Sequence, residues 1–132
     1  MKNNTLLKIF YVIVFTLVVV HEIDSAYWKE WEMFNLPGGI QLFNIIHIVL
    51  LPILIFGYGE LIKESKRGII FSALVGFLGL LTFVIHSTFL IIGYNQFKNP
   101  VSISIILLLL ITSTYQLVIV LKVKNGFILK EN

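Results

Sequence analysis

Four long apolar runs separated by short polar stretches organise the chain. The first covers Leu6 to Val20 with one charge, Lys8, and continues through His21 toward Asp24. The second runs from about Ile40 to Phe56 with Pro52 inside it, and Gly57-Tyr58-Gly59 follows as a break. The third extends from Ile69 to about Gly93, and the fourth from Val101 to about Val123 behind Asn99-Pro100. Each is long enough to cross a hydrocarbon layer of about 30 Å as a helix that satisfies its own backbone hydrogen bonds. Asn99 before Pro100 is a start signal, because the proline has no N–H to orphan and its φ is already helical. Pro52 predicts a kink and a freed carbonyl near the middle of the second helix. Glu60 to Arg67 reads as a solvated turn whose charges suit anionic headgroups.

Between the first two runs, Tyr27, Trp28, Trp31 and Phe34 recur at spacings of three and four. As a helix this segment would carry an aromatic stripe opposite its charges, which suits the headgroup layer; a lid over a pocket is the other reading. Leu36-Pro37-Gly38-Gly39 then supplies a turn. The expected fold is an all-α integral membrane four-helix bundle with a short interfacial helix between the first and second spans, one domain over residues 1–132.

Composition sharpens this picture by exclusion. With 58% hydrophobic and 13% charged residues and a mean hydropathy of +0.94, a water-soluble monomer is ruled out. The absence of cysteine removes disulfides, thiolate metal sites and a cysteine nucleophile. The net charge of +3 matters through its placement. Four spans put Lys2, Lys8, Lys63, Lys66, Arg67, Lys122, Lys124 and Lys130 on one side and only Lys29 and Lys98 on the other. Eight against two predicts that both termini are cytoplasmic. The connections at Ser25 to Gly39 and Asn95 to Asn99 then face outward. Lys2 and Lys8 before an apolar run also suit a signal peptide, but Asp24 would occupy the small-residue site of a cut after Ala26, so the run is expected to be retained.

The three histidines carry the candidate chemistry. His21 lies near the outer end of the first helix, and His47 and His86 each lie seven residues from an outer helix end, or roughly 10 Å into the membrane. All three therefore reach one layer. His21 and Asp24 share a helix face, and Glu22 lies about 100° away. His21, His47 and His86 with Glu22 and Asp24 form a ligand set suited to a divalent transition metal, zinc first and iron second. Asn44, one face with His47, and Ser87, next to His86, are candidate supporting or ligand-binding residues, as is Trp28. If three protein ligands leave one position open, bound water ionises near neutral pH and attacks an ester or amide, which makes hydrolysis of a lipid-like substrate one reading; a divalent-metal carrier or a redox site fits the same spacing.

Two other classes stay open. A metal-free polar network would bind a lipid or small molecule, and plain hydrogen bonding of the imidazoles to Asn44, Ser87, Thr88, Ser102 or Ser104 would fit a structural subunit of a membrane complex, or a homo-oligomer. No Gly-rich phosphate loop or two-histidine metalloprotease helix motif is present, so nucleotide chemistry and nucleic-acid partners are not expected; membrane lipids are. Ala73, Gly76 and Gly79 set a small-residue rhythm that permits close helix approach, and Thr112 to Gln116 form a polar cluster expected to bond across helices.

The stretch His21-Glu22-Ile23-Asp24-Ser25-Ala26-Tyr27-Trp28-Lys29-Glu30-Trp31-Glu32-Met33-Phe34, followed by Leu36-Pro37-Gly38-Gly39, resembles the signature of a small bacterial family of four-span membrane proteins of unknown function. The resemblance covers about the first half of the chain, through His47. It implies a bacterial four-span protein, for which the inner membrane is the expected location, and no activity. A looser, fold-level analogy with the four-helix emopamil-binding superfamily extends only to the idea of a polar pocket enclosed between helices.

Overall fold

A computed structural model describes residues 2–94 and 96–131, with side chains for residues 3–94 and 96–124. Asn95, expected in the outer turn, therefore lies outside the described residues, as do the side chains of Lys2 and Lys130. The elements in chain order are α1 (Lys2–Tyr27), α2 (Glu30–Met33), α3 (Gly39–Ile62), α4 (Lys66–Ile91) and α5 (Pro100–Glu131). The segments Asn3–Tyr27, Gly39–Ile62, Lys66–Ile91 and Pro100–Lys124 are each long and apolar enough to cross a membrane. The chain is an all-α bundle of four such helices, an integral membrane protein in contact with lipid, with α2 as a short link between the first two.

Leu7, Tyr11, Val14 and Val18 of α1 pack with Leu54 and Leu61 of α3, Val75 of α4, and Leu109, Ile119 and Val120 of α5 to form the core. Helix α3 is the outermost of the four: Ile45, Ile48, Val49, Ile55 and Phe56 are all exposed. Lipid covers such a row at no cost, since hydrocarbon tails are as apolar as the side chains themselves. The Tyr11 hydroxyl donates to the Leu54 carbonyl at 2.7 Å and ties α1 to α3 deep in the bundle. Tyr11→Phe is expected to lower stability by about 1 kcal/mol, read as the shift in thermal unfolding in detergent; no shift would show that the bond carries nothing.

Helix α3 does not break at Gly57-Tyr58-Gly59 as the pattern suggested but runs on to Ile62. The reason is packing: Gly57 is buried, and a side chain there would collide with Phe71 of α4. The expected solvated turn shrinks accordingly to Lys63, Glu64 and Ser65. Ser65 caps α4 by accepting from the Gly68 N–H at 3.1 Å, and its hydroxyl donates to Glu60 at 2.9 Å. Pro52 sits inside the continuous helix.

The small-residue rhythm of α4 faces α5, because a Cβ at Gly76 would touch Leu117 and one at Gly79 would run into Ser113. In the polar cluster of α5, Gln116 does bond across, donating to the Ser72 carbonyl at 2.7 Å and the Ser72 hydroxyl at 3.1 Å. Thr112 and Thr114 instead donate to carbonyls of their own helix, Leu108 at 2.6 Å and Leu110 at 2.7 Å.

At the α3–α4 turn, Lys8 donates to Glu64 at 2.8 Å and Asn4 donates to the same carboxylate at 3.2 Å. These bonds hold the Glu64 carboxyl below the usual range. A carboxylate with a lowered folded value stabilises the fold above its unfolded value and loses that contribution as pH falls through the folded one. Melting temperature should thus drop slightly on acidification, and Lys8→Ala or added salt should erase that part of the drop, since an exposed pair is screened. An unchanged acid limb in Lys8→Ala would contradict this.

Candidate metal centre and pocket

His21 lies six residues before the end of α1, His86 five before the end of α4, and His47 eight after the start of α3. At about 1.5 Å per residue these positions fall roughly 8 to 12 Å below one end of the bundle. They share one layer, and the folded chain brings two of the three together. The Nε2 atoms of His21 and His86 are 3.0 Å apart, and both rings are buried, at 2% and 1% exposure.

The third member is Glu30, which the sequence did not single out. Helix α1 stops at Tyr27, and Lys29 takes a left-handed φ of 53° that folds the chain back. Had α1 continued straight, Glu30 would stand about 13 Å above His21 along the axis. Instead its Oε1 lies 3.4 Å from His86 Nε2 and its Oε2 lies 4.0 Å from His21 Nε2. Ligand atoms of His21, Glu30 and His86 all lie within 4.8 Å of one another. Burial works against the charge of Glu30, but hydrogen bonds from His86 and Ser25 and the field of the two imidazoles outweigh it and hold the carboxyl below its usual range.

Proton accounting shows what this arrangement lacks. His21 Nε2, His86 Nε2 and the two Glu30 oxygens converge, and the Ser25 hydroxyl stands 3.2 Å from His21 Nε2. In neutral rings at most one nitrogen of each carries hydrogen, and two Nε2 atoms 3.0 Å apart cannot both carry one, so at least one ring presents a lone pair to the centre and keeps its proton on Nδ1. The Nδ1 atoms on the far sides of both rings are buried without a hydrogen-bond partner. A cation is the species that satisfies several converging lone pairs at once. Donors about 2.0–2.2 Å from a tetrahedral metal lie about 3.3–3.5 Å apart; here the two imidazoles lie 3.0 Å apart, His86 lies 3.4 Å from one Glu30 oxygen and His21 lies 4.0 Å from the other. The residues fit a divalent transition metal.

His47 and Glu22 form a separate pair. His47 Nδ1 donates to the Phe43 carbonyl at 2.7 Å, and its Nε2 meets Glu22 Oε2 at 3.0 Å. A carbonyl only accepts, so Nδ1 carries hydrogen and the second contact requires one more proton, on Nε2 or on the carboxyl. The remaining expected residues scatter. Asp24 lies outside the close group, with Oδ2 buried and unpartnered. Asn44 is exposed on α3 and Ser87 is half-buried; neither lines the pocket. Trp28 turns inward, its ring 6.3 Å from that of Phe97 and its Nε1 unpartnered. The aromatic stripe is divided, since only Glu30–Met33 is helical beyond α1: Tyr27 stays exposed, while Trp31 packs on Phe43 and Phe34 on Phe89.

Phe97 also escaped the sequence reading. It is 1% exposed, adopts φ 64°, and sets its ring 4.2 Å from that of His86. A bulky residue in that region is strained, and here the strained link before α5 closes the α5 side of the histidine pair.

A cavity of about 250 Å³ opens from this centre between α1, α3 and α4. His21, Glu22, Glu30, His47 and His86 line its polar end, and Val18, Leu42, Ile46, Leu50, Leu78 and Leu81 are among its apolar walls. Neither lysine nor arginine lines it. No curated protein and no solved structure matches the chain. A family does: over residues 7–123 the sequence matches the family of unknown function DUF6713, and this four-span chain belongs to it.

Proposed function

We propose that His21, Glu30 and His86 hold a divalent transition metal, zinc first and iron second, at the head of an apolar pocket, and that the protein is a metal-dependent hydrolase of a lipid-like substrate. The observation that carries this reading is the convergence of three ligand side chains from α1, α2 and α4 on one buried point that opens into the pocket. A metal with an open position supplies Lewis acidity to a carbonyl and makes water acidic near neutral pH. The chain's own residues do the rest. Leu42, Ile46, Leu50, Leu78 and Leu81 exclude water from the apolar end. Glu22 and His47, on the wall beside the centre, offer a hydrogen-bonding pair to the substrate's polar group. Asp24 follows His21 by three residues on the same helix face. The lysine and arginine asymmetry favours cytoplasmic termini and hence a site beneath the outer face of a bacterial inner membrane.

The expected result is turnover of a medium-chain acyl ester in detergent micelles that stops on treatment with chelator, returns on adding zinc, and is absent in Glu30→Gln. Turnover indifferent to chelator, or none in protein loaded with zinc or iron, would remove the hydrolase. The 3.0 Å separation of His21 and His86 is also an ordinary hydrogen-bond length, which favours as second reading a metal-free protein that binds a lipid or small molecule in the same pocket.

A further inference from the structure

Helices α3 and α4 are pressed together at one end and parted at the other. At the turn end, Gly57 packs against Phe71, and Gly68 lies directly on the backbone of Leu61 and Glu60. At the histidine end the cavity lies between them. Ile46 of α3 and Leu81 of α4 line that cavity from within their membrane-spanning segments and are 47% and 39% exposed. An opening between these two residues faces hydrocarbon, and Trp31, Phe34 and Leu36 of the α2 segment also line the cavity.

We propose that this cleft takes one acyl chain of a lipid drawn sideways from the surrounding leaflet, with an uncharged carbonyl head (an ester or amide without phosphate) at the centre held by His21, Glu30 and His86. The proposal deepens the functional reading above by naming its substrate class, and rests on that reading only for the placing of the carbonyl. Three observations carry it. The walls from Leu50 and Leu78 up to the histidines are apolar apart from Thr82, and Leu78 to His86 alone spans about 12 Å of helix, room for a chain segment. The polar end carries two carboxylates, Glu22 and Glu30, and no lysine or arginine, so a phosphate headgroup would meet like charge with no cationic side chain to pair it. The side opening lets the chain enter without leaving hydrocarbon.

The test uses a monoacylglycerol carrying a diazirine near its chain terminus, with the full-length protein in nanodiscs. Photolabelling should concentrate on cleft residues such as Leu50 and Leu78, at least tenfold above outward-facing Ile48 and Val84. Ile46→Trp and Leu81→Trp, which narrow the opening from opposite helices, should each weaken cleft labelling about tenfold. A lysophosphatidic acid of equal chain length should compete about tenfold less well than unlabelled monoacylglycerol. Labelling spread evenly over lipid-facing residues, two tryptophan variants that fold and label like the parent, or preference for the phosphate lipid would each overturn the proposal. His86→Ala keeps the two readings apart: cleft labelling that persists in this variant while metal is lost upholds the chain site, and metal retained with no cleft labelling in the parent defeats it while leaving the metal centre standing.

Discussion

His86→Ala is expected to purify without metal and to bind added zinc at least about 100-fold more weakly than the parent, because loss of a direct ligand exceeds the tenfold to hundredfold cost of losing a supporting hydrogen bond. Glu30→Gln should behave alike, since an amide oxygen is uncharged and the centre would lose the only carboxylate in its close group. The discriminating comparison lies on the pocket wall. His47→Ala and Glu22→Gln remove residues that share the pocket with the centre but bond to each other, so both should keep stoichiometric metal. Equilibrium dialysis of each variant with zinc, after circular dichroism has shown it folded, reads the result. Equal weakening in His47→Ala and His86→Ala would mean that the ligand set is the wider one expected from the sequence rather than the compact one in the fold.

The second large effect concerns the closed end of the helix pair. A Cβ on Gly68 would lie under 3 Å from backbone atoms of Leu61 and Glu60, 2.7 Å from the Glu60 carbonyl carbon. Backbone cannot swing aside as a flexible side chain can, so the α3–α4 turn must open. Gly68→Ala is expected to destabilise by about 3 kcal/mol or more. Gly59, nine residues earlier and also in sequence between apolar stretches, has nothing within 4 Å of its would-be Cβ. Gly59→Ala should be neutral or stabilising by up to about 1 kcal/mol through helix propensity. Denaturation of the two variants in the same detergent measures the contrast directly. Similar midpoints for both would show that the helices are not packed as closely as described.

These cases show what local pattern can and cannot convey. The four spans were legible because hydrocarbon demands about 20 apolar residues and the chain provides that length four times. The common depth of His21, His47 and His86 was legible because helical rise is constant. Azimuth was not: depth places His47 beside the other two, while the direction of its side chain pairs it with Glu22. Glu30 was invisible because Lys29, which adopts the left-handed turn, carries no glycine or proline signal, and without that turn Glu30 belongs a full 13 Å or so higher. Gly57 and Gly59 look alike in sequence, yet one is a contact with Phe71 and the other faces open space. A hint did exist for Ser25, four residues after His21 on the same face.

Whether His21, Glu30 and His86 hold a metal is read by elemental analysis joined to X-ray absorption on untagged protein purified in mild detergent. The expected result is about one zinc or iron per chain, in a shell of nitrogen and oxygen that includes two imidazoles. Protein that carries no transition metal, and still binds none after incubation with zinc or iron, would contradict it.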